Sequence, residues 1–232
     1  MSSTDSASSE SNVILERRVH WLMAMVGGVL GGYAVYLRGG NFGSAQTGNM
    51  MEMAAHLVDG EFMDVLIRLG AFVLYAATLI IATLVPKYTN TDFRKGCIVL
   101  EAFGLVLCCF IPVNMNNVIA LYPVFIISAM QWSVYCGVGK YRCATIFSTN
   151  NIRQASTALA EYIYTKKPEH KDKAKFYGYT IINFSIGILL GVLGVKYFMT
   201  FGILIGLIPL AAAFLLSQKL IREVEDIDKI TN

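Results

Sequence analysis

The chain is 232 residues long, 55% of them hydrophobic and only 15% charged, and its mean hydropathy is +0.54. An ordinary soluble domain carries roughly 25% charged residues, so this composition excludes a soluble globule and favours a membrane protein. The formal charge is only +3, and the basic residues lie between apolar segments rather than in one patch, which excludes a nucleic-acid-binding surface.

Six apolar segments are predicted to cross the bilayer, at residues 21–37, 65–85, 96–111, 118–135, 176–195 and 199–216. Most are close to the roughly 17–25 residues that a spanning helix needs. The expected organisation is a disordered, serine-rich tail over residues 1–16, a membrane domain over 17–218 and a cytoplasmic tail over 219–232.

The basic residues are distributed unequally between the two predicted sides of the membrane. With the N-terminus inside, only Arg38, Arg68 and Lys196 of the 19 lysines and arginines fall outside. Short cytoplasmic loops carry an excess of basic residues, so we predict a multi-pass protein of the cell membrane with both termini cytoplasmic.

Two amphipathic segments, residues 49–59 and 151–164, are half the length of a span. A shift of 102 residues aligns Thr47 with Thr149 and Asn49 with Asn151. We therefore predict an all-α fold of two inverted three-helix repeats, about 17–112 and 113–218, each with a half-length amphipathic or re-entrant helix. The alternative, that both short helices lie flat in the headgroup region, stays open.

The motif Ser-Ala-Gln-Thr-Gly-Asn at residues 44–49 resembles the YoaK family, six-span membrane proteins of unknown function. The glycine-rich run from Gly27 to Tyr33, Phe42 and the spacing of the spans extend the resemblance over about residues 21–216. The resemblance implies a membrane protein without an assigned substrate. Family members commonly carry an acidic residue in the first span, but Gly31–Ala34 contains no carboxylate.

The two half-length helices indicate a solute site near the bilayer centre, because broken helices of transporters present their N-termini there. Threonine and asparagine suit the first turn of a helix, since their side-chain oxygens accept unpaired backbone N–H groups. Two facing N-termini favour an anionic or dipolar solute. The predicted substrate-binding residues are Gln46, Thr47, Asn49, Gln131, Thr149 and Asn151.

Few charged side chains lie near or within the predicted spans. Glu52 and Glu101 are candidate intramembrane charges, and Glu101 would be either at the interface or paired with a cytoplasmic base, namely Lys140, Arg142 or Arg153. Arg68 is expected to pair with Asp64, one helical turn away. The repeated Gly-xxx-Gly pairs, such as Gly28 and Gly32, indicate close helix packing.

These features favour a small-solute transporter with a midplane site. A channel of the same architecture and a non-transporting membrane scaffold are the alternatives. No catalytic motif is present, so no enzyme activity is expected, and neither a cofactor nor a metal is indicated. The expected partners are the lipid bilayer and a small solute, without nucleic acid, and homo-oligomer formation is left open.

The predicted orientation can be tested by replacing Ser6 with cysteine. We expect a membrane-impermeant maleimide to label this cysteine only after the cells are permeabilised, because the charge distribution retains the N-terminus inside. The unmodified protein, with its five native cysteines, is the control. Labelling of the new cysteine in intact cells would contradict the orientation.

Overall fold

A computed structural model describes the backbone of residues 3–89 and 92–231, and the side chains of residues 11–89 and 92–220. The described chain is helical apart from one short antiparallel pair. The helices are α1 (Ser3–Leu37), α2 (Gln46–Val58), α3 (Phe62–Thr89), α4 (Phe93–Cys109), α5 (Asn117–Ala120), α6 (Tyr122–Val134), α7 (Thr149–Thr165), α8 (Pro168–Phe198), a 3₁₀ helix (Met199–Gly206) and α9 (Leu207–Thr231). Strands β1 (Gly137–Val138) and β2 (Tyr141–Arg142) pair between α6 and α7.

Three helical stretches among the described residues are long and apolar enough to cross a membrane: Ser11–Leu37, Phe62–Thr89 and Pro168–Leu220. The apolar window of the first is mostly buried inside the protein, whereas that of the second is mostly exposed. Large apolar side chains of α3, including Leu66, Val73 and Ile81, lie on that exposed surface. Exposed apolar surface of this extent indicates a membrane protein.

The six predicted spans all fall on helical segments, although six crossings do not follow from helix length. The third and fourth correspond to α4 and α6, which have 17 and 13 residues. The fifth and sixth lie within the single stretch Pro168–Leu220, which is 53 residues long. The inverted repeat of six spans is therefore not confirmed, and the all-helical membrane fold is the part of the prediction that holds.

The stretch from α8 to α9 is interrupted at Met199, whose φ is 53°. This positive φ ends the regular helix, and the 3₁₀ helix that follows packs back on the end of α8. A Cβ atom built on Gly194 would lie 2.5 Å from the carbonyl oxygen of Gly202. The backbones of α8 and the 3₁₀ helix are therefore in direct contact, so the chain reverses there.

Helix α1 lies at the centre of the fold and packs against α8, α9 and the 3₁₀ helix. Its face toward α8 has no side chain at Gly28 and Gly32. A Cβ atom on Gly32 would lie 2.5 Å from the carbonyl oxygen of Ile188, and one on Gly28 would overlap that of Phe184. This close approach confirms the predicted role of the glycine pairs in packing.

The N-terminal segment differs from the expected disordered tail, because residues 3–16 belong to α1. The hydrogen-bond ladder of the apolar segment continues outward, and serine is only mildly unfavourable in a helix. Residues 1 and 2 lie outside the described residues. Directly after this extension, the Arg17 guanidinium donates two 2.6 Å hydrogen bonds to the Asp172 carboxylate, which connects α1 to the start of α8.

The pair of strands β1 and β2 also contacts Asp172. The Tyr141 hydroxyl donates to Asp172 at 3.0 Å, and its ring stacks on Phe176 with centroids 5.4 Å apart. Burial, together with the hydrogen bond to Asp172, raises the pKa of Tyr141 to about 12. The phenol is therefore neutral at physiological pH and acts as a donor.

Glycine substitutions on α8 can test the contact between α1 and α8. We expect Gly187→Ala to destabilise the protein by about 1–3 kcal/mol, because the added methyl group would overlap the Met25 carbonyl oxygen. Gly178→Ala on the same helix has no neighbouring heavy atom within 4 Å, so it is the matched control and should be neutral or stabilising. Equal melting temperatures for the two detergent-solubilised variants would contradict the close contact.

Candidate functional site

The loop between α1 and α2 is fixed by a buried arginine. Arg38 is fully buried, and its guanidinium donates to the carbonyl oxygens of Ile111 and Pro112 at 3.1 and 2.9 Å. Gly39 and Gly40 follow with φ angles of +65° and +79°, which turn the chain toward α2. The sequence presents Arg38 as an ordinary loop cation, whereas here it anchors the segment that forms one wall of a pocket.

A second buried arginine lies across this pocket. Arg68 of α3 is only 8% exposed, and its Nη1 donates to the side-chain oxygens of Asn41 and Asn49 at 3.3 and 3.2 Å. Its Nη2 lies 3.6 Å from a carboxylate oxygen of Glu52. The expected pairing with Asp64 is therefore wrong: Arg68 turns toward α2, where two amide oxygens and one carboxylate are available.

These side chains line a cavity of about 200 Å³, which we call the α2 pocket. Its polar residues come from α2, α3 and the preceding loop, and its apolar walls include two phenylalanine rings. The lining residues are Gly39, Gly40, Asn41, Phe42, Ala45, Gly48, Asn49, Glu52, Arg68 and Phe125. Two of the predicted residues, Asn49 and Glu52, therefore lie in one pocket with Arg68, which was not predicted.

The N-terminus of α2 faces this pocket without a side-chain cap. The N-cap residue is Ala45, so the threonine of the motif lies inside the first turn rather than at the cap. Thr47 and Gly48 are exposed, and no hydrogen-bond partner occupies the buried Nε2 of Gln46 among the described residues. The Gln46 and Asn49 N–H groups of this turn donate to nearby carbonyl oxygens, whereas those of Thr47 and Gly48 have no described partner and are available to a ligand.

The corresponding turn of α7 has a different character. Asn151 is buried and donates to the carbonyl oxygens of Ala144 and Phe147 at 2.7 and 2.9 Å, while its oxygen faces the thiol of Cys143 at 3.3 Å. These contacts use all of its polar atoms, so Asn151 fixes the loop before α7. Thr149 is exposed at the start of that helix.

The segments that precede α2 and α7 meet beside α1. The Ser44 hydroxyl donates to the carbonyl oxygen of Ile146 at 3.5 Å, and these residues are 102 positions apart. A Cβ atom on Gly27 would lie 2.5 Å from the Thr145 carbonyl oxygen. That Thr47 and Thr149 bind one solute together stays a prediction.

Three further polar side chains are buried, one on each of α1, α4 and α6. Gln131 is fully buried and donates to the Met23 carbonyl oxygen at 2.6 Å, but its own oxygen has no partner among the described residues. Glu101 contacts the Cys97 thiol at 3.7 Å instead of the expected bases. His20, which was not predicted, is buried with both ring nitrogens unpartnered in the described chain and lines a small cavity of about 40 Å³.

One further group resembles a set of metal ligands. His56, Glu61 and Asp64 present ligand atoms within 4.8 Å of one another at the turn between α2 and α3. His56 and Glu61 already form a 2.5 Å hydrogen bond, and both carboxylate residues are at the surface or close to it. This hydrogen bond accounts for the grouping.

Comparison with known proteins gives one result. Residues 19–216 match the model of a family described as "Protein of unknown function (DUF1275)", which confirms the resemblance to the YoaK family. No curated protein and no solved structure matches the chain.

The structural role of Asn151 can be tested against its neighbour. We expect Asn151→Leu to destabilise the fold by about 2–3 kcal/mol, because it leaves the buried carbonyl oxygens of the preceding loop unpaired. Asn150→Leu is the matched control, since this side chain is exposed and its described hydrogen bond is to Arg153. Thermal unfolding of both variants provides the measurement. Wild-type stability of Asn151→Leu would contradict the structural role.

Proposed function

Because the chain belongs to the DUF1275 family of unknown function and has the apolar helices of a membrane protein, we propose that it transports a small solute, which binds in the α2 pocket. The observation that carries the proposal is Arg68. A buried arginine in an apolar helix is costly, and one that lines a cavity beside a helix N-terminus is typical of a solute site.

The proposal includes six crossings, two inverted repeats and both termini in the cytoplasm of a cell-membrane protein. The contact between the segments that precede α2 and α7 supports the inverted repeat. Such a repeat brings equivalent segments together at a pseudo-two-fold axis. The pocket beside α2 and the cavity beside His20 would then be the two access routes. No catalytic role is proposed for any of these residues.

The aromatic ring of Phe42 lies between the α2 pocket and Gly31 of α1. Phe42 lines the α2 pocket and also packs beside Gly27, Gly31 and Ile146, where no water-sized void remains. A continuous open path would favour the channel alternative, whereas a closed divider favours alternating access. Buried, incompletely bonded polar groups at Gln131 and His20 count against the scaffold alternative, for which an apolar centre is expected.

Uptake into proteoliposomes tests the proposed function. A panel of radiolabelled amino acids, organic anions and sugars is offered to the wild-type protein and to Arg68→Gln. We expect saturable uptake of at least one solute, reduced by about tenfold or more in the variant, because a charge-assisted hydrogen bond contributes about 1.5–3 kcal/mol.

The matched control is Arg153→Gln, which removes an exposed guanidinium whose described bond is to Asn150. Its uptake should stay within about twofold of the wild type, since surface contacts contribute little. Absence of saturable uptake, or equal uptake by Arg68→Gln and the wild type, would contradict the proposal.

A further inference from the structure

The α2 pocket contains one fixed cation and one movable anion, Arg68 and Glu52. We propose that its ligands are zwitterionic neutral α-amino acids, with the carboxylate at Arg68 and the first turn of α2 and the ammonium group at Glu52. This inference rests on the solute site proposed above and names the class of solute that the site accepts.

The carboxylate subsite follows from the donors that remain unused around Arg68. Its Nη1 is occupied by two asparagine oxygens, but the one contact described for Nη2 is to Glu52 at 3.6 Å, which is longer than a good hydrogen bond. Its Nε has no partner among the described residues. The open first turn of α2 adds backbone donors and a partial positive charge on the same side.

The ammonium subsite follows from the surroundings of Glu52. Its side chain is 59% exposed and lies 3.6 Å from Arg68 and 3.9 Å from His56, so both contacts are long. His56 is held instead by its 2.5 Å bond to Glu61. The Glu52 carboxylate therefore keeps acceptor capacity and can rotate toward a ligand in the pocket.

The charges of the pocket select against ions of one sign. A simple carboxylate that binds Arg68 displaces Glu52 and leaves it beside the ligand as a repelling anion. An amine that binds Glu52 leaves the buried guanidinium without its carboxylate. A zwitterion pairs with both groups, and the neutral pocket stays neutral.

The apolar walls indicate a neutral side chain. Phe42 and Phe125 line the pocket, and three glycines, Gly39, Gly40 and Gly48, leave space where side chains would otherwise stand. A cavity of about 200 Å³ lies below the roughly 300–1,000 Å³ of typical small-molecule sites, so it limits the ligand to a small solute. A second charge on the ligand would have no partner among these apolar walls.

Calorimetric binding to the purified, detergent-solubilised protein tests the inference with three probes of similar shape. L-leucine carries both charges, 4-methylpentanoate lacks the ammonium group and 3-methylbutylamine lacks the carboxylate. We expect L-leucine to bind the wild type at least about tenfold more tightly than either analogue, because each analogue leaves one charged group unpaired.

Glu52→Gln provides the decisive variant. This substitution should weaken the binding of L-leucine by about tenfold and strengthen the binding of 4-methylpentanoate, because removal of the Glu52 anion removes its repulsion of the ligand carboxylate. A gain of binding also demonstrates that the variant is folded. Glu61→Gln is the matched control, because Glu61 is exposed, bonds to His56 and does not line the pocket, so the wild-type order of affinities should persist.

The inference is overturned if L-leucine does not bind, if 4-methylpentanoate binds the wild type equally well, or if Glu52→Gln leaves the order of affinities unchanged. These outcomes are distinct from failure of the transport function. Arg68-dependent uptake of another solute without L-leucine binding rejects the amino-acid site alone, whereas L-leucine binding without any uptake supports the site and rejects transport.

Discussion

The backbone contact between α1 and α8 is the constraint on which the other contacts depend. Glycines from both helices face each other, with Gly28 and Gly32 on one side and Gly187 and Gly191 on the other, so main-chain atoms meet directly. In lipid there is little hydrophobic drive between helices, and close van der Waals packing of this kind supplies the attraction. The ion pair between Arg17 and Asp172 fixes the same two helices beyond the contact, which sets their register.

The glycine run of α1 serves more than one neighbour, because successive glycines point in different directions around the helix. Gly27 faces the Thr145 carbonyl oxygen in the segment before α7, while Gly31 faces the ring of Phe42 before α2. The two irregular segments thus approach the same helix from different sides, and the absence of side chains on α1 allows both to reach it. Irregular backbone inside a membrane protein requires such a protein-lined position.

Much of the helical framework could be predicted from hydropathy, because the apolar segments and the two short amphipathic helices have distinct lengths. The neighbourhood of Asn49 and Glu52 was also predictable, since both stand on the short helix that follows the motif. Arg68 was missed because Asp64 offers a local partner at the favoured spacing, and only the fold shows that Asn41, Asn49 and Glu52 lie nearer. An arginine one and a half turns inside an apolar helix was the available signal. The role of Asn151 was not predictable, because its partners are loop carbonyl groups whose directions depend on tertiary structure.

The charge of Arg38 affects the electrostatic potential at the α2 pocket. Its guanidinium is bonded to the hydroxyl of Tyr33 and to carbonyl oxygens at the end of α4, and within the described residues no carboxylate neutralises it. An arginine side chain is always charged, and field lines from a buried charge spread through a medium of low dielectric constant. The loop that carries Arg38 continues directly into the wall of the α2 pocket, so this charge adds a positive contribution to the potential at the pocket. Such a potential raises the local concentration of carboxylate groups and speeds their capture at low ionic strength.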